Sequence, residues 1–567
     1  MGNFRLIAEA RLQRENGTVL KDHGCRVRVA LVYPNLYSIA MSNLGYQKVY
    51  SLLNARDNVV CERAFMPESK ELLSMENSGN VLSSLESNTP LNRFDMVCFS
   101  ITFEMDYINV LRILKLSNIP FRSQNRDKLL VAVGGLAPTL NPAVMSPFAD
   151  LVFIGEAEEI INPFIDAYIN EETSLKRFAR VPGCLVPSLQ EKNTNNDVQV
   201  KRAWSSDDSP NHTTIHTTET VFGDMWLVET GKGCGRHCRF CAAGYSYRPT
   251  RHYSLKSILS AIDKGLAVNG KIGLVGSAIS DHPDALKIFR YIISCNGQFS
   301  ISSLRIDSLS EEWLSLISKG GSNAITVAPE AGSETLRKKI NKEITDSAII
   351  NAIAKMSKAG PFNIKLYFLV GLPSEIDKDV EAIVALIKAS QKVMVDSSRT
   401  RGTLGSIEVS VNCFVPKPNT PFEREPFENI KILKNRLKIV KNGLSKVPNV
   451  SLSTSSPRLD YIQALLSLGN EQIGSFIEKA VELNGDLIEA LKYFRLSGVN
   501  PDLIVYRRKE NNEVLPWAKV GHGMRDDYLT REVERSEQAK TISECPPPDV
   551  ECLRCGVYLG VCVNEKS

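Results

Sequence analysis

The chain has 567 residues, 43% of them hydrophobic and 23% charged, with a formal net charge of +4. That length exceeds one hydrophobic core, so about two to four domains of ordinary globular composition are expected. No stretch reaches the roughly 18 apolar residues of a membrane helix, and the opening Met-Gly-Asn-Phe-Arg-Leu-Ile lacks the apolar core of a signal peptide, so a cytoplasmic protein is expected. The weak charge neither implies nor excludes nucleic acid as a partner.

From about residue 26 to 187, short apolar strands alternate with stretches of helical period. Residues 28–33, 94–100, 129–135 and 149–155 read as strands; 44–53, a segment through 110–114 and 156–168 read as helices. That alternation predicts a parallel sheet covered on both faces. Ligands bind at the C-terminal ends of such strands, where Gly134, Gly135 and Gly155 stand. Residues 190–222 are polar and read as a linker or surface hairpin. A second alternation follows, with strands at 225–228, 272–276, 302–306, 324–328, 363–370 and 407–412, six units that predict a partial barrel. Beyond residue 425 the pattern is helical and basic, its lysines forming a solvated face. The expected architecture is therefore α/β, in five parts. A flavodoxin-like or Rossmann-like parallel-sheet domain occupies 1–189, a linker 190–222 and a partial (β/α)6 barrel of TIM type 223–424. A mainly helical region follows over 425–540, and a cysteine-rich tail over 541–567.

Thirteen cysteines in such a chain favour metal or redox work over disulfides. Cys25, Cys61, Cys98, Cys184, Cys295 and Cys413 are scattered and read as small hydrophobes. The other seven form two groups. Cys234, Cys238 and Cys241 lie in one run, Glu229-Thr-Gly-Lys-Gly-Cys-Gly-Arg-His-Cys-Arg-Phe-Cys, at spacing C-x3-C-x2-C. Structural zinc closes with four ligands and disulfides need pairs, whereas three thiolates suit a cubane iron–sulfur cluster whose fourth iron stays open. The second group is Cys545, Cys552, Cys555 and Cys562, four thiols around a C-x2-C core that suit tetrahedral zinc and a second iron–sulfur cluster equally.

The central run, with Phe240 before its last cysteine, resembles the signature of the radical S-adenosylmethionine (SAM) superfamily. The resemblance implies a [4Fe–4S] cluster on Cys234, Cys238 and Cys241, SAM on its open iron, and an external reductant such as flavodoxin or ferredoxin. It also implies SAM contacts at six further places: Gly276 and Ser277 at a strand end, Glu330 toward the ribose, Arg337 toward the carboxylate, Gly371 in Val370-Gly-Leu-Pro-Ser-Glu, Pro416 in Val415-Pro-Lys-Pro-Asn-Thr-Pro, and Phe240 near the adenine. The turn at Gly276-Ser277-Ala278 lacks the family's glutamate. The other reading of Glu330 and Arg337 is a salt bridge capping a helix. The N-terminal region, through Val133-Gly-Gly-Leu-Ala-Pro-Thr and Phe153-Ile-Gly-Glu-Ala-Glu, resembles the cobalamin-binding domain fused to many radical SAM enzymes, with Gly134, Gly135 and Gly155 as the residues carried over. The D-x-H-x-x-G loop of histidine-ligating domains is missing, and His23 is the only histidine before residue 200. What remains is cobalamin without a protein ligand, or a domain that keeps the fold and not the cofactor. Over nearly its whole length the chain resembles an uncharacterised radical SAM group that ends in a cysteine cluster, with no substrate to carry over and no catalytic side chain singled out.

The expected function is reductive cleavage of SAM to drive a radical modification, with cobalamin-dependent methylation as one outcome. A rival of another class is a non-catalytic zinc-binding module that meets nucleic acid or protein, in which His237 or His252 completes the central trio.

Overall fold

Seven short runs of β-branched and aromatic residues after residue 225, and six before it, build the sheets on which everything else is hung. The structure, a computed structural model, describes residues 2–567 apart from 171–173, 191–198, 278, 303, 400, 526, 546–551, 553 and 558–567. The first sheet holds β1 (Val27–Tyr33), β2 (Val59–Phe65), β3 (Met96–Ser100), β4 (Leu130–Gly134), β5 (Leu151–Phe153) and β6 (Cys184–Leu185), in the order β2-β1-β3-β4-β5-β6. All pairings are parallel except β5 with β6. Because side chains alternate across a strand, each strand feeds two cores. Ala30, Val32, Val97, Phe99, Val131 and Val133 enter the main core. Val29, Leu31, Tyr33 and Ala132 face the other way, onto Tyr46, Tyr50 and Leu53 of α1 (Leu44–Asn54) and Ile160, Phe164 and Ile165 of α2 (Ala157–Ile169).

Strand β2 is absent from the sequence expectation. Its centre is Glu62-Arg63, which breaks the apolar run, yet both side chains are buried. Arg63 reaches Glu15 and Glu86 at 2.6 Å each, so the charges are paired within the fold rather than solvated.

The second region contains seven parallel strands in two sheets. The three-stranded one has β7 (Trp226–Glu229), β8 (Lys271–Val275) and β9 (Gln298–Ile301); the four-stranded one has β10 (Ala324–Glu330), β11 (Asn363–Val370), β12 (Ser406–Cys413) and β13 (Val450–Thr454). The strand expected at 302–306 lies earlier, at 298–301, and residues 306–308 form a 3-10 turn instead. The chain after β9 meets β10 through Leu304 N–H donating to Thr326 O at 3.1 Å. The seventh strand, β13, was not expected from the sequence; its pattern, half-buried and exposed by turns, carries little apolar signal.

Residues 199–222 are not a free linker, contrary to the expectation. Arg202, Ala203, Asn211, Thr213, Ile215 and Thr217 are buried, and bridges join Ala203 to Gly155, His212 to Val228 and His216 to Asn16. Polarity misled here because the polar side chains serve the backbone: Thr213 Oγ1 accepts from Leu227 N–H at 2.9 Å, and Gln47 Oε1 accepts from the N–H groups of Thr214 and Ile215. The C-terminal region is mainly helical, with α3 (Pro457–Leu468), α4 (Ile473–Glu482), α5 (Leu487–Leu496) and α6 (Tyr528–Glu537). It packs back on the first sheet, where Asn141 donates to the carbonyls of Ser467 and Gly469 and Arg122 pairs with Glu478 at 2.7 Å. Among the described residues no helix is long and apolar enough to cross a membrane.

Candidate functional site

The C-terminal ends of β4 and β5 and of β7 and β8 open onto one cavity of about 550 Å³. Gly134, Gly135, Gly155 and Thr102 line it from the first sheet; Glu229, Gly231, Lys232, Gly233, Gly276 and Ser277 line it from the second. The cavity continues beneath α1 and α2, between Leu31, Leu53, Ile160 and Phe164. Five residues singled out in the sequence, Gly134, Gly135, Gly155, Gly276 and Ser277, therefore share one space.

The glycines have reasons of their own. Gly135 (φ 107°) and Gly155 (φ 117°) are in conformations that L side chains avoid, and a Cβ would lie 2.4 Å from Ile101 O in the first and 2.1 Å from Ala203 O in the second. Packing of backbone on backbone requires glycine there, whatever fills the cavity. The cavity's size and its mainly apolar inner end suit a large flat ligand such as a corrin. No histidine reaches it: His23 lies against Glu62 at 2.8 Å, and the cavity lining contains none. A corrin here would have no histidine on its metal.

The cysteine loop leaves the end of β7. Residues 231–232 pair antiparallel with 251–252, and Gly233 (φ 77°) brings its backbone against Tyr247 O, 2.5 Å from where a Cβ would stand. Cys241 N–H then donates to Cys238 O at 3.0 Å, and the chain enters a short helix, Ala243–Ser246. Cys234, Cys238 and Cys241 are half-buried, and Gly233 and Ala243, flanking the loop, line the cavity. Burial raises all three thiols above their ordinary range, Cys238 to about 12; backbone N–H groups of Arg236 toward Cys234, and of Gly244 and Ala243 toward Cys241, act in the opposite sense. Hydrogen bonds to the sulfurs are among the factors that set an iron–sulfur cluster's potential. Among the described residues, no three His, Cys, Asp or Glu side chains stand at metal-ligating spacing, so the thiols share a loop without being drawn to one point.

Around this loop the remaining expected residues separate. Phe240 packs with Leu369, Leu372, Phe414 and Phe422, at the ends of β11 and β12. Glu330 ends β10 at φ 69°, pairs with Lys342 at 3.3 Å, and its charge is felt by Cys238 and Cys241. Arg337 is not beside it: fully buried, it donates to the carbonyls of Ala331, Gly332 and Ile344 and to Asp346, which uses its whole fork. The helix-fastening role, not a carboxylate-binding one, is what its surroundings allow. Gly371 N–H donates to Glu375 at 2.6 Å, and Pro416 O accepts from Ser467 Oγ at 3.2 Å; both hold turns.

Sequence reasoning missed the polar end of the cavity. Glu229 Oε2 accepts from Asn211 Nδ2 at 2.9 Å and Tyr253 OH at 3.1 Å. Glu229 shows surface only in part and lines the cavity; burial pushes its carboxyl up to about 7, against the pull of Lys232. Lys232 pairs with Glu156 and Glu158 at 3.2 and 2.7 Å. The only signal was position, a glutamate at a strand end beside the cysteine run.

The tail reaches the same loop. Cys545 N–H donates to Gly235 O at 2.8 Å and Cys545 Sγ lies 3.2 Å from His237 Nε2. Cys555 is buried against Tyr245 and Tyr528, and Cys552 is half-buried; Cys562 lies outside the described residues. Arg239 of the loop, fully buried, pairs with Glu532 of α6 at 3.1 Å.

Residues 45–187 match the family described as radical SAM proteins, N-terminal, and residues 228–387 match the radical SAM superfamily. An uncharacterised protein of Methanocaldococcus jannaschii is 29% identical over 475 residues, covering 82% of this chain and 94% of that one. Among solved structures, the radical SAM methyltransferase TsrM from Kitasatospora setae, with cobalamin and a [4Fe–4S] cluster bound, aligns at TM-score 0.48 and 12% identity over 84% of this chain and 100% of that one. The cobalamin-dependent SAM radical enzyme OxsB aligns at 0.49 and 14% over 83% and 71%. With its cysteine run inside the second of the two matched segments, the chain belongs to the radical SAM superfamily.

Proposed function

We propose that this protein is an enzyme that reductively cleaves SAM and uses the resulting radical to modify a substrate held in the cavity between the two sheets. The observation that carries it is the placement of the Cys234–Cys241 loop, whose flanking residues Gly233 and Ala243 line that cavity. Cys234, Cys238 and Cys241 would hold the cluster, which when bound passes an electron, from a flavodoxin or ferredoxin, to SAM. The chain's own work is to exclude water, since a primary carbon radical takes hydrogen from whatever it meets. Leu31, Phe153, Ile160 and Phe164 wall the inner end, and Phe240 with Phe414 and Phe422 seals the far side of the loop. A corrin at the ends of β4 and β5, without a protein ligand, would make methyl transfer the outcome. The tail cysteines are read as holding zinc or a second cluster.

The zinc-module reading needs a fourth ligand for the central trio. His237 Nε2 faces Cys545 instead, and His252 stacks edge-on against His282 at 5.2 Å. Anaerobically purified protein should be brown, with absorption near ~400 nm and acid-labile sulfide. It should form 5′-deoxyadenosine from SAM under dithionite. Colourless protein loaded with zinc alone would overturn the proposal.

A further inference from the structure

Arg239, the residue after Cys238, is fully buried, and two distant segments turn their backbone onto it. Its Nη1 donates to the carbonyls of Lys338 and Lys339 at 3.2 and 2.9 Å, and its Nη2 to the carbonyl of Lys540 at 2.7 Å. Its backbone N–H donates to Ile340 O at 3.1 Å. Asn341 joins the same segments to the loop: Nδ2 donates to Arg236 O at 2.9 Å, and Oδ1 accepts from Ile542 N–H at 2.8 Å. The backbone that touches the cysteine loop on this side is also the molecular surface, since Lys338 and Lys540 are exposed and Lys339 is half-buried.

Charge is unevenly met there. Arg239 pairs with Glu532, and Arg236 pairs with Asp281 at 2.5 Å and with Glu544. Lys338, Lys339 and Lys540 meet no carboxylate among the described residues; Lys339 Nζ donates to Ser374 Oγ at 2.8 Å instead. Arg554 spends its fork on the carbonyls of Ser543 and Glu544 at 2.7 Å each, beside Cys545, whose N–H is bonded to Gly235 O. Glu343, on the same rim, accepts from Thr541 Oγ1 at 3.0 Å. Four cations without a carboxylate therefore gather where the cysteine loop comes to the surface. A lone surface lysine contributes little. A cluster of one sign raises the local concentration of a partner of the opposite sign and orients its approach. This cluster lies over the loop at which an electron must arrive, so the partner that fits is an acidic protein that carries one.

We propose that Lys338, Lys339, Lys540 and Arg554 form the docking surface for the acidic electron carrier, a ferredoxin or flavodoxin, that reduces the cluster on the loop behind them. One electron crosses: the carrier is oxidised by one, the cluster goes from its 2+ to its 1+ state, and no atom is exchanged. The surface has this use only if the loop holds the cluster, so it rests on the function proposed above.

The test uses the full chain, purified anaerobically, with a reduced acidic [2Fe–2S] ferredoxin as the probe. In wild type, zero-length carbodiimide coupling should join ferredoxin carboxylates to Lys338 and Lys540, and high salt should suppress it. Lys338→Glu with Lys540→Glu should lose that coupling and slow ferredoxin-driven 5′-deoxyadenosine formation by about ten-fold or more. With chemically reduced methyl viologen, a small cation, the same variant should match wild type. Lys271→Glu with Lys319→Glu makes the same charge change at the other end of the strands, where Lys271 opens β8 and Lys319 closes the helix before β10; it should keep both coupling and rate. Coupling and rate unchanged in the Lys338 and Lys540 variant would overturn the docking surface, and so would an equal loss in the Lys271 and Lys319 variant. RNA binding that the first variant loses, with ferredoxin bound by variant and wild type alike, would make the face a nucleic-acid surface and overturn the proposal too. A wild type that forms no 5′-deoxyadenosine with methyl viologen would sink the catalytic function, and carbodiimide coupling would then decide the docking alone. Should the charge reversal not fold, Lys338→Gln with Lys540→Gln decides on the same two readouts.

Discussion

The central cysteine loop and the tail segment that returns to it have surroundings that differ in kind. The central trio is served by backbone: N–H groups of Arg236, Ala243 and Gly244 favour its thiolates, while Asp281 and Arg236 act on Cys234 and Glu330 and Lys342 act on Cys238 and Cys241. The tail meets side chains instead: Cys545 Sγ lies 3.2 Å from His237 Nε2, and Cys555 is buried against Tyr245 and Tyr528. Backbone donors cannot be titrated or rotated away. Side-chain contacts such as Cys545 with His237 join two segments far apart in sequence.

The largest test of that contrast is Cys238→Ala. It should abolish 5′-deoxyadenosine formation under dithionite while the tail keeps its metal; retained turnover would refute the catalytic assignment. Cys555→Ala is its mirror, and should lower bound metal while SAM cleavage stays measurable, so unchanged metal content would count against a tail centre. The two sides are also tied by the buried pair of Arg239 with Glu532, both side chains fully buried. Glu532→Gln leaves that guanidinium short of a charge and should lower stability by about 3 kcal/mol, seen as an earlier midpoint in denaturant. A midpoint equal to wild type would show that the loop is held without α6.

The smallest expected effect lies at the cavity's polar end. Glu229 has its carboxyl raised by burial to about 7. A raised carboxyl means the folded state binds the extra proton, so this group's contribution is intact at acid pH and is lost as pH climbs from about 4.5 to about 7. Glu229→Gln should therefore be more stable than wild type above about pH 7, by roughly 1–3 kcal/mol, and equal to it near about pH 4. A difference that did not vary with pH would remove burial as the cause.

Much of the fold was legible because its strands are simple. Arg28 to Tyr33, Leu129 to Gly135 and Asn363 to Val370 are apolar runs flanked by glycine or by helical period, and they are strands in the structure. The strand at Val59–Phe65 was hidden by Glu62 and Arg63, whose burial depends on Glu15 and Glu86 brought from elsewhere in the chain. The polar stretch around 199–222 was misread for the same reason: Thr213 meets the backbone of Leu227 and Asn211 the carboxylate of Glu229, partners that sequence proximity does not reveal. Arg337 was misplaced because an arginine near a glutamate in sequence says nothing of the three carbonyls that take its donors.

The reading of the central cysteine run rests on ligand type and spacing, both local properties that survive any rearrangement of the rest. Which glycines face one cavity, that Glu229 and Asn211 close its polar end, and that the tail returns more than 300 residues later to lie on the loop at Gly235 and His237 are facts of a different kind. They depend on which strand ends and which buried charges packing brings together, and no stretch of sequence contains that information until the chain has folded.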